Sequence, residues 1–197
     1  MKLTSRIVAI AAVASALVAA ASAATETYKI DPVHSSVGFT IRHIVSKVPG
    51  DFTKFSGAVM IDKDNMENNS VEATIEVGSL DTNNDHRNAD LLSDSYFDAL
   101  KFPKITFKSK AWKKTGDASY DVTGDLTIKE VTKEVVLKTS FLGFGTGMGG
   151  AMSSGWEATT TINRKDYGVT GPAMLGAMVG DDVAITIEVA ADMHPAK

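Results

Sequence analysis

Three histidines of this 197-residue chain could take part in metal binding. His34, His43 and His86, with neighbouring aspartates, offer the imidazole and carboxylate groups that bind zinc. His34 and His43 lie nine positions apart, so in one regular strand they point to opposite faces of a sheet. Because their spacing also matches no metal-binding motif, we predict no metal site.

A hydrolytic site is the second arrangement that the residue types allow. Its members would be Asp31, His34, Ser35, Ser36 and Arg87. A nucleophilic serine on a strand-to-helix elbow requires a Gly-x-Ser-x-Gly segment, and the sequence contains none. A metal-dependent or hydrolytic enzyme is therefore the weakest interpretation, and we predict that the protein is not an enzyme.

The amino-acid composition excludes further classes of function. Apolar residues make up 44% of the chain and charged residues 22%, which is typical of a folded globular domain. The chain has no cysteine, which excludes a disulfide scaffold, thiolate-bound metals and a cysteine nucleophile. The net charge of −4 lacks the basic excess that nucleic-acid binding requires, so we predict no nucleic-acid partner.

The N-terminus has the pattern of a secretory signal peptide. Lys2 and Arg6 precede an uncharged apolar run over 7–20, and Ala21-Ser22-Ala23 forms a small-x-small cleavage site. The run is too short and too rich in alanine to be a good membrane anchor. We therefore predict a signal peptide over 1–23, a single domain over 24–197, and a periplasmic or secreted location without stable membrane insertion.

From residue 24 onward, apolar and polar residues alternate with a period of two. In the stretch 71–77, valine, alanine and isoleucine alternate with glutamate and threonine, which predicts a strand with one apolar face. Similar stretches predict about eight strands, near 36–42, 55–61, 71–77, 104–108, 120–129, 135–141, 156–163 and 183–189. Pro49-Gly50-Asp51 is interpreted as a break between the first two strands, and Asp85 to Phe97 as one or two short helices.

This pattern predicts an all-β fold. Strands that are polar on one face are antiparallel, and closure into a barrel removes their exposed edges. We therefore predict an extended antiparallel β-barrel of about eight strands with one or two short helices. An outer-membrane barrel is disfavoured, because the charged faces would crowd its lumen and 7% aromatic residues leave few for two girdles.

The interior of such a barrel is either filled by its own side chains or holds one small ligand. The small inward residues Gly57, Ala73, Gly124 and Ala158 leave both alternatives open, since they mark either ligand space or packing against bulky neighbours. An apolar interior favours a hydrocarbon ligand whose orientation a few polar groups set. A solid core would instead indicate a structural, interaction or stress-response protein.

Five ordered segments resemble the YceI-like family of secreted polyisoprenoid-binding proteins. They are YKIDPVHSSVGFTIRH (28–43), GDFTKFSG (50–57), SLDTNNDHRNADLLSDSYFDALKFPKITFKS (79–109), GDLTIKEVTKEVVL (124–137) and NRKDYG (163–168). The resemblance implies a lipocalin-like barrel whose apolar tunnel holds a long isoprenoid or a similar amphiphile, such as a polyprenol, a quinone or a fatty amide. Asn88 follows Arg87 where the family usually has an acidic residue, so an arginine–carboxylate clamp is not carried over.

Strand phase assigns the residues that would line the tunnel. The predicted apolar contacts are Phe39, Ile41, Phe55, Val59, Ile75, Val77, Phe107, Tyr120, Val122, Leu126, Phe141, Trp156, Ile162, Ile185 and Ile187. A segment rich in glycine and methionine is predicted to form the tunnel mouth through Met174, Leu175 and Met178, because methionine adapts to varied apolar shapes. His34, His43 and Arg87 are the predicted contacts of a polar head group.

The predicted function is therefore the binding of a hydrophobic small molecule for transport, storage or sensing outside the cytoplasm. No cofactor is expected beyond the bound isoprenoid or quinone-like lipid. Dimerisation is left open, because no stripe or patch in the sequence argues for it.

Overall fold

The computed structural model describes residues 25–147, 150–175 and 178–193. Within them the strands are β1 (Glu26–Ile30), β2 (Ser36–His43), β3 (Ser46–Phe52), β4 (Phe55–Ile61), β5 (Ser70–Glu76), β6 (Leu80–Asp81), β7 (Lys104–Lys114), β8 (Ser119–Ile128), β9 (Val131–Thr146), β10 (Met152–Asn163) and β11 (Val179–Met193). The α-helix α1 spans Asp85–Leu92, and 3-10 helices span Met66–Asn68, Val77–Ser79, Arg164–Tyr167 and Ala173–Leu175. The predicted signal peptide over 1–23 lies outside the described residues.

Eight of the strands form a closed antiparallel barrel. Around the ring the order is β1, β4, β5, β7, β8, β9, β10 and β11, and the pairing of β1 with β11 completes it. The all-β barrel predicted from the alternating residues is thereby confirmed. No helix in the part of the chain that the structure describes is long and apolar enough to span a bilayer.

The three remaining strands extend this barrel at one end. β11 pairs with β1 near its C-terminal end, at Lys29 and Asp192, and with β2 further back, at Phe39 and Ile185. β1 and β2 therefore lie one after the other along β11. β3 then pairs with β2, and the two-residue strand β6 pairs with β3.

The predicted break at Pro49-Gly50-Asp51 is wrong, because these residues lie inside β3. Pro49 is opposite Thr40 of β2, whereas β6 pairs only with the last two residues of β3. Pro49 therefore borders a free edge, where the missing backbone N–H is tolerated. Gly50 is needed for packing, since a Cβ there would lie 2.4 Å from Cζ of Phe39.

The predicted helix is present but shorter than expected. It begins after Asn84, whose side-chain oxygen accepts a hydrogen bond from the Arg87 amide at 2.9 Å, and it ends at Leu92. The residues that follow form turns, although Tyr96 and Phe97 still pack on the same apolar cluster as Leu91 and Leu92.

The apolar core consists of two clusters at opposite ends of β7 and β8. We call them the Trp cluster and the Tyr167 cluster. The Trp cluster contains Tyr28, Val59, Ile61, Trp112, Tyr120, Val122, Trp156 and Ala191. The Tyr167 cluster contains Phe52, Val77, Leu80, Ile105, Leu126, Ile128, Tyr167 and Val169.

Two of the small inward residues serve this packing. A Cβ at Gly57 would lie 2.4 Å from the Glu72 carbonyl oxygen, and a Cβ at Gly124 would lie 2.5 Å from the Phe107 ring. At both positions neighbouring atoms already occupy the space. Ala73 and Ala158, by contrast, lie in the wall of a cavity.

Candidate ligand-binding site

A cavity of about 510 Å³ lies inside the barrel and is lined by residues of both clusters. Its wall is built from inward-facing positions, chiefly on β2, β4, β5 and β7 to β11, because alternate residues of each strand face the interior. Its volume lies within the range of pockets that bind small molecules. The barrel interior therefore contains ligand-sized space.

Twelve of the predicted apolar contacts lie in the cavity wall. They are Phe39, Ile41, Phe55, Val59, Ile75, Phe107, Val122, Leu126, Trp156, Ile162, Ile185 and Ile187. The wall also includes apolar residues that were not predicted, among them Ile30, Val37, Val48, Phe52, Val71, Leu91, Phe97, Ile105, Trp112, Ile128, Val135, Leu137, Val169, Val179, Val183 and Val189. Val135 and Leu137 share the inward phase of β9, so strand phase alone would have identified them.

The cavity wall does not include Val77, Tyr120 or Phe141. β5 ends at Glu76 and Val77 begins a 3-10 helix, so the alternation no longer sets its direction, and its side chain packs in the Tyr167 cluster. Tyr120 belongs to the Trp cluster, and the Phe141 ring packs on Trp156 with ring centroids 4.5 Å apart. All three side chains thus pack in or against the core clusters without lining the cavity.

Two of the predicted mouth residues, Met174 and Met178, do not line the cavity. Met174 is 84% exposed on the 3-10 helix Ala173–Leu175, and Met178 is half-buried in the turn before β11. The side chain of Leu175 lies outside the described residues. Met178 therefore lies beside the cavity, since the next residue, Val179, belongs to the wall.

The ionisable groups of the wall lie on elements that border the Tyr167 cluster, whereas Thr139 and Thr160 line the cavity from β9 and β10. Two of the predicted head-group contacts, His43 and Arg87, are among the ionisable groups. Thr82, Asp90 and Arg164 also line the cavity, and none of the three was predicted because none lies at an inward position of a predicted strand. The charged groups of a mostly apolar cavity wall are thus found toward one end.

Arg87 is held in this wall by Thr82. Its Nε donates to Oγ1 of Thr82 at 2.8 Å, and its Nη2 donates to the Thr82 carbonyl at 2.6 Å. Asn88 braces the same threonine, because its side-chain oxygen accepts from the Thr82 amide and hydroxyl at 2.9 and 2.6 Å. Among the described residues Arg87 forms no ion pair, so its charge and its Nη1 donors stay available to a ligand.

Arg164 stabilises the loop that borders the same end. Its side chain is 6% exposed, and its Nη1 donates to the carbonyls of Val169 and Thr170 at 2.8 and 2.5 Å. Its Nε donates to the Gly180 carbonyl at 2.9 Å, and its Nη2 lies 3.3 Å from Oδ1 of Asp181. Arg164 therefore ties the residues after its own 3-10 helix to the start of β11.

His34, the third predicted head-group contact, lies outside the cavity. Its side chain is 74% exposed, and its Nδ1 is 2.5 Å from Oδ2 of Asp31. This contact raises the pKa of His34 and lowers the pKa of Asp31. His34 follows the bend after β1, so strand phase gives no information about its direction.

The Asp31→Asn variant should bring the pKa of His34 back toward its ordinary value of 6.5, because the variant removes the hydrogen bond and negative charge that favour imidazolium. Any stability that the Asp31–His34 pair contributes is fully present at a pH between the ordinary pKa of Asp31 and the ordinary pKa of His34. It is lost as pH falls through the lowered pKa of Asp31 or rises through the raised pKa of His34. NMR titration of the His34 ring measures the shift, and the distant His86 ring serves as the control. An unchanged His34 pKa would contradict the contact.

The other candidate residues do not come together as a hydrolytic or a metal site within the described part of the chain. Oγ of Ser35 donates to the Ala190 carbonyl and accepts from its amide, so it serves β11 rather than His34. His43 lies in the cavity wall, whereas His86 is exposed on α1. Within the described ranges, no three histidine, aspartate or glutamate side chains gather as metal ligands.

These observations define a class: an antiparallel β-barrel that encloses a ligand-sized apolar cavity with polar groups at one end. The model of the YceI-like domain matches residues 28–191. The chain belongs to this family.

Curated relatives and solved structures are also similar to this chain. A UPF0312 protein of Photorhabdus laumondii is 40% identical over 154 residues, which cover 77% of this chain and 80% of the relative. The crystal structure of Burkholderia cenocepacia BcnA superposes with a TM-score of 0.76 at 27% identity, over 82% of this chain and 99% of that one. A polyisoprenoid-binding domain from Saccharophagus degradans shares the fold at 14% identity, with a TM-score of 0.65 over 85% and 98% of the two chains.

Proposed function

We propose that this protein binds a long-chain isoprenoid or a similar amphiphilic lipid in the barrel cavity and does not alter it chemically. The observation that carries the proposal is the distribution of polarity along the cavity. Most of its wall is aliphatic and aromatic, whereas its ionisable members His43, Arg87, Asp90 and Arg164 lie on elements that border the Tyr167 cluster. A molecule with an apolar chain and one polar head matches this arrangement.

The apolar wall supplies the driving force of binding. Each Å² of apolar surface removed from water contributes about 25 cal/mol before the costs of ordering the ligand are subtracted. A flexible chain loses conformational freedom when it is bound, so affinity depends on how completely the wall encloses it. The fold shared with the polyisoprenoid-binding domain of Saccharophagus degradans supports the same ligand class.

The role we propose is carriage, storage or sensing of this lipid in the periplasm or outside the cell. The support is the signal-peptide pattern over 1–23. A barrel that shields an apolar chain from water serves each of these roles, because the exposed chain would otherwise aggregate or partition into a membrane.

Native mass spectrometry of protein purified without detergent tests the proposal. We expect an added mass that organic extraction releases and identifies as an isoprenoid, a quinone or a related lipid, or else uptake of an added polyprenol or isoprenoid quinone. A clean apo mass with no uptake of either would overturn the proposal and favour a structural or interaction protein. The same spectra read the oligomeric state, for which dimerisation stays an open prediction.

The Arg87→Met variant should weaken binding of an isoprenoid quinone by about 10- to 100-fold, because a hydrogen bond from a charged donor to the head group is lost. Binding of a chain without a polar head should change little, since Met retains an apolar stem of similar length. Competition titration with the two ligands gives the ratio. Equal losses for both would show that Arg87 acts only through its bonds to Thr82.

A further inference from the structure

The hairpin between β2 and β3 carries two exposed aliphatic side chains at its tip. Ile44 and Val45 form the two-residue turn, and they are 50% and 97% exposed. Single exposed aliphatic residues such as Val33 occur elsewhere, but here two adjacent ones form a turn. We call these two residues the hairpin tip.

The hairpin tip also conflicts with local turn chemistry. Two-residue hairpin turns place residues at positive φ and are dominated by Asn, Asp and Gly. Ile44 adopts a φ of 53°, a conformation that is strained for a β-branched residue. The backbone is held there by neighbours, since the Ile44 amide donates to the Met178 carbonyl at 2.7 Å and Arg42 Nη1 donates to the Ile44 carbonyl at 2.9 Å. Such retained strain is concentrated at functional positions.

The hairpin tip lies at the polar end of the cavity. His43 immediately before it and Val48 shortly after it belong to the cavity wall, as does Val179, which pairs with His43. Met178, whose carbonyl holds the Ile44 amide, belongs to the same connection as the exposed Met174. A surface contacted by the hairpin tip is therefore next to the end at which a lipid head group would reside.

Two cations flank the hairpin tip. Arg42 and Lys47 pair across the strands and are both exposed, and neither forms an ion pair among the residues that the structure describes. The nearest acidic side chain at the start of β11, Asp181, is paired with Arg164 and Lys165. Exposed aliphatic residues between unpaired cations fit a bilayer with anionic head groups, since the aliphatic groups enter the interface and the cations meet the phosphates.

We propose that the hairpin tip docks the barrel on an anionic lipid bilayer, with Ile44 and Val45 inserted at the head-group level and Arg42 and Lys47 on lipid phosphates. This placement brings the polar end of the cavity to the membrane surface. The proposal builds on the lipid-binding function for its purpose, but the docking itself needs no isoprenoid. The two ideas therefore fail separately.

Site-specific labelling tests the docking. The chain has no cysteine, so Val45→Cys and Val33→Cys each carry a single environment-sensitive nitrobenzoxadiazole label. Val33 is the matched control, because it is 82% exposed and lies before the start of β2, whereas the hairpin tip follows its end. The length of β2, about 23 Å at about 3.3 Å per residue, separates the two positions. The probes are isoprenoid-free vesicles of phosphatidylcholine mixed with phosphatidylglycerol, and vesicles of phosphatidylcholine alone.

With mixed vesicles, we expect the label at 45 to shift to the blue and brighten while the label at 33 stays in water. The double variant Ile44→Ser/Val45→Ser should reduce vesicle binding by about tenfold, and Val33→Ser should leave it unchanged. Arg42→Gln/Lys47→Gln should remove the preference for phosphatidylglycerol, whereas Lys113→Gln/Lys114→Gln, with the same change in charge, should not.

Two results would overturn the proposal: both labels staying in water, or both shifting together, which would mean attachment through another part of the chain. Isoprenoid uptake measured on the same preparation separates this failure from failure of the lipid-binding function. A protein that takes up isoprenoid from detergent but shows no shift at 45 refutes docking alone. A shift at 45 without isoprenoid uptake refutes the lipid-binding function and supports the docking.

Discussion

Ala158→Trp should lower affinity for an isoprenoid by at least about a hundredfold, which corresponds to about 2.7 kcal/mol of binding free energy. Ala158 lies in the cavity wall on β10, and its small side chain leaves space that a bound chain would occupy. An indole at this position fills that space and competes directly with the ligand. Because the added atoms enter the cavity rather than a packed cluster, the melting temperature should change much less than the affinity.

The matched control for this variant is Ala111→Trp, which places the same side chain on an exposed position of β7. A second blocking variant, Ala73→Phe, tests the opposite wall, since β5 and β10 are four places apart in the eight-strand ring. Ligand content measured by native mass spectrometry and thermal melts of all three variants give the comparison. Unchanged ligand content in both blocking variants would place the ligand elsewhere.

Arg164→Met should destabilise the fold by about 3–5 kcal/mol, because three hydrogen bonds from a buried charged donor are lost. The Arg164 guanidinium is 6% exposed and donates to the carbonyls of Val169, Thr170 and Gly180. The variant leaves those carbonyls without their donor at a site from which water is largely excluded. Equilibrium unfolding in urea measures the loss as a change in free energy of unfolding.

Lys165→Met is the control for this prediction. Lys165 is the neighbouring cation, and it also contacts Asp181, but its side chain is 45% exposed and water replaces the lost contact. Its free energy of unfolding should therefore stay close to that of the unaltered protein. Equal losses in the two variants would show that the shared carboxylate, and not the backbone carbonyls, carries the effect.

The barrel was predictable because its strands have one apolar and one polar face. The same alternation identified twelve residues of the cavity wall, as Phe39, Ile75 and Ile187 illustrate. The alternation of apolar and polar residues did not predict side-chain direction where the chain leaves a regular strand. Val77 turns away at the start of a 3-10 helix, and β3 contains a proline and a glycine that read as a turn in isolation.

The polar end of the site was harder to predict for a physical reason. Thr82, Asp90 and Arg164 lie between strands or on short helices, so no periodicity gives the direction of their side chains. Arg87 and His43 were selected through a sequence motif and strand phase, and both lie in the cavity wall. The cavity itself depends on the distance between opposite barrel walls, which residue types do not specify. The space next to Gly124 is occupied by the Phe107 ring, whereas Ala158 faces the open cavity.

The pairing of the last strand has a consequence for how the protein folds. β11 contacts β10, β2 and β1, and the pair of Lys29 with Asp192 joins strands near opposite ends of the chain. The ring cannot close until β11 is available, so a chain still being synthesised holds its apolar faces open. Such long-range pairing makes folding slow, because the entropy of a long loop is lost before the contacts that reward it form. We expect the barrel to appear in one late step, with an interval before closure in which an apolar chain can enter from the side.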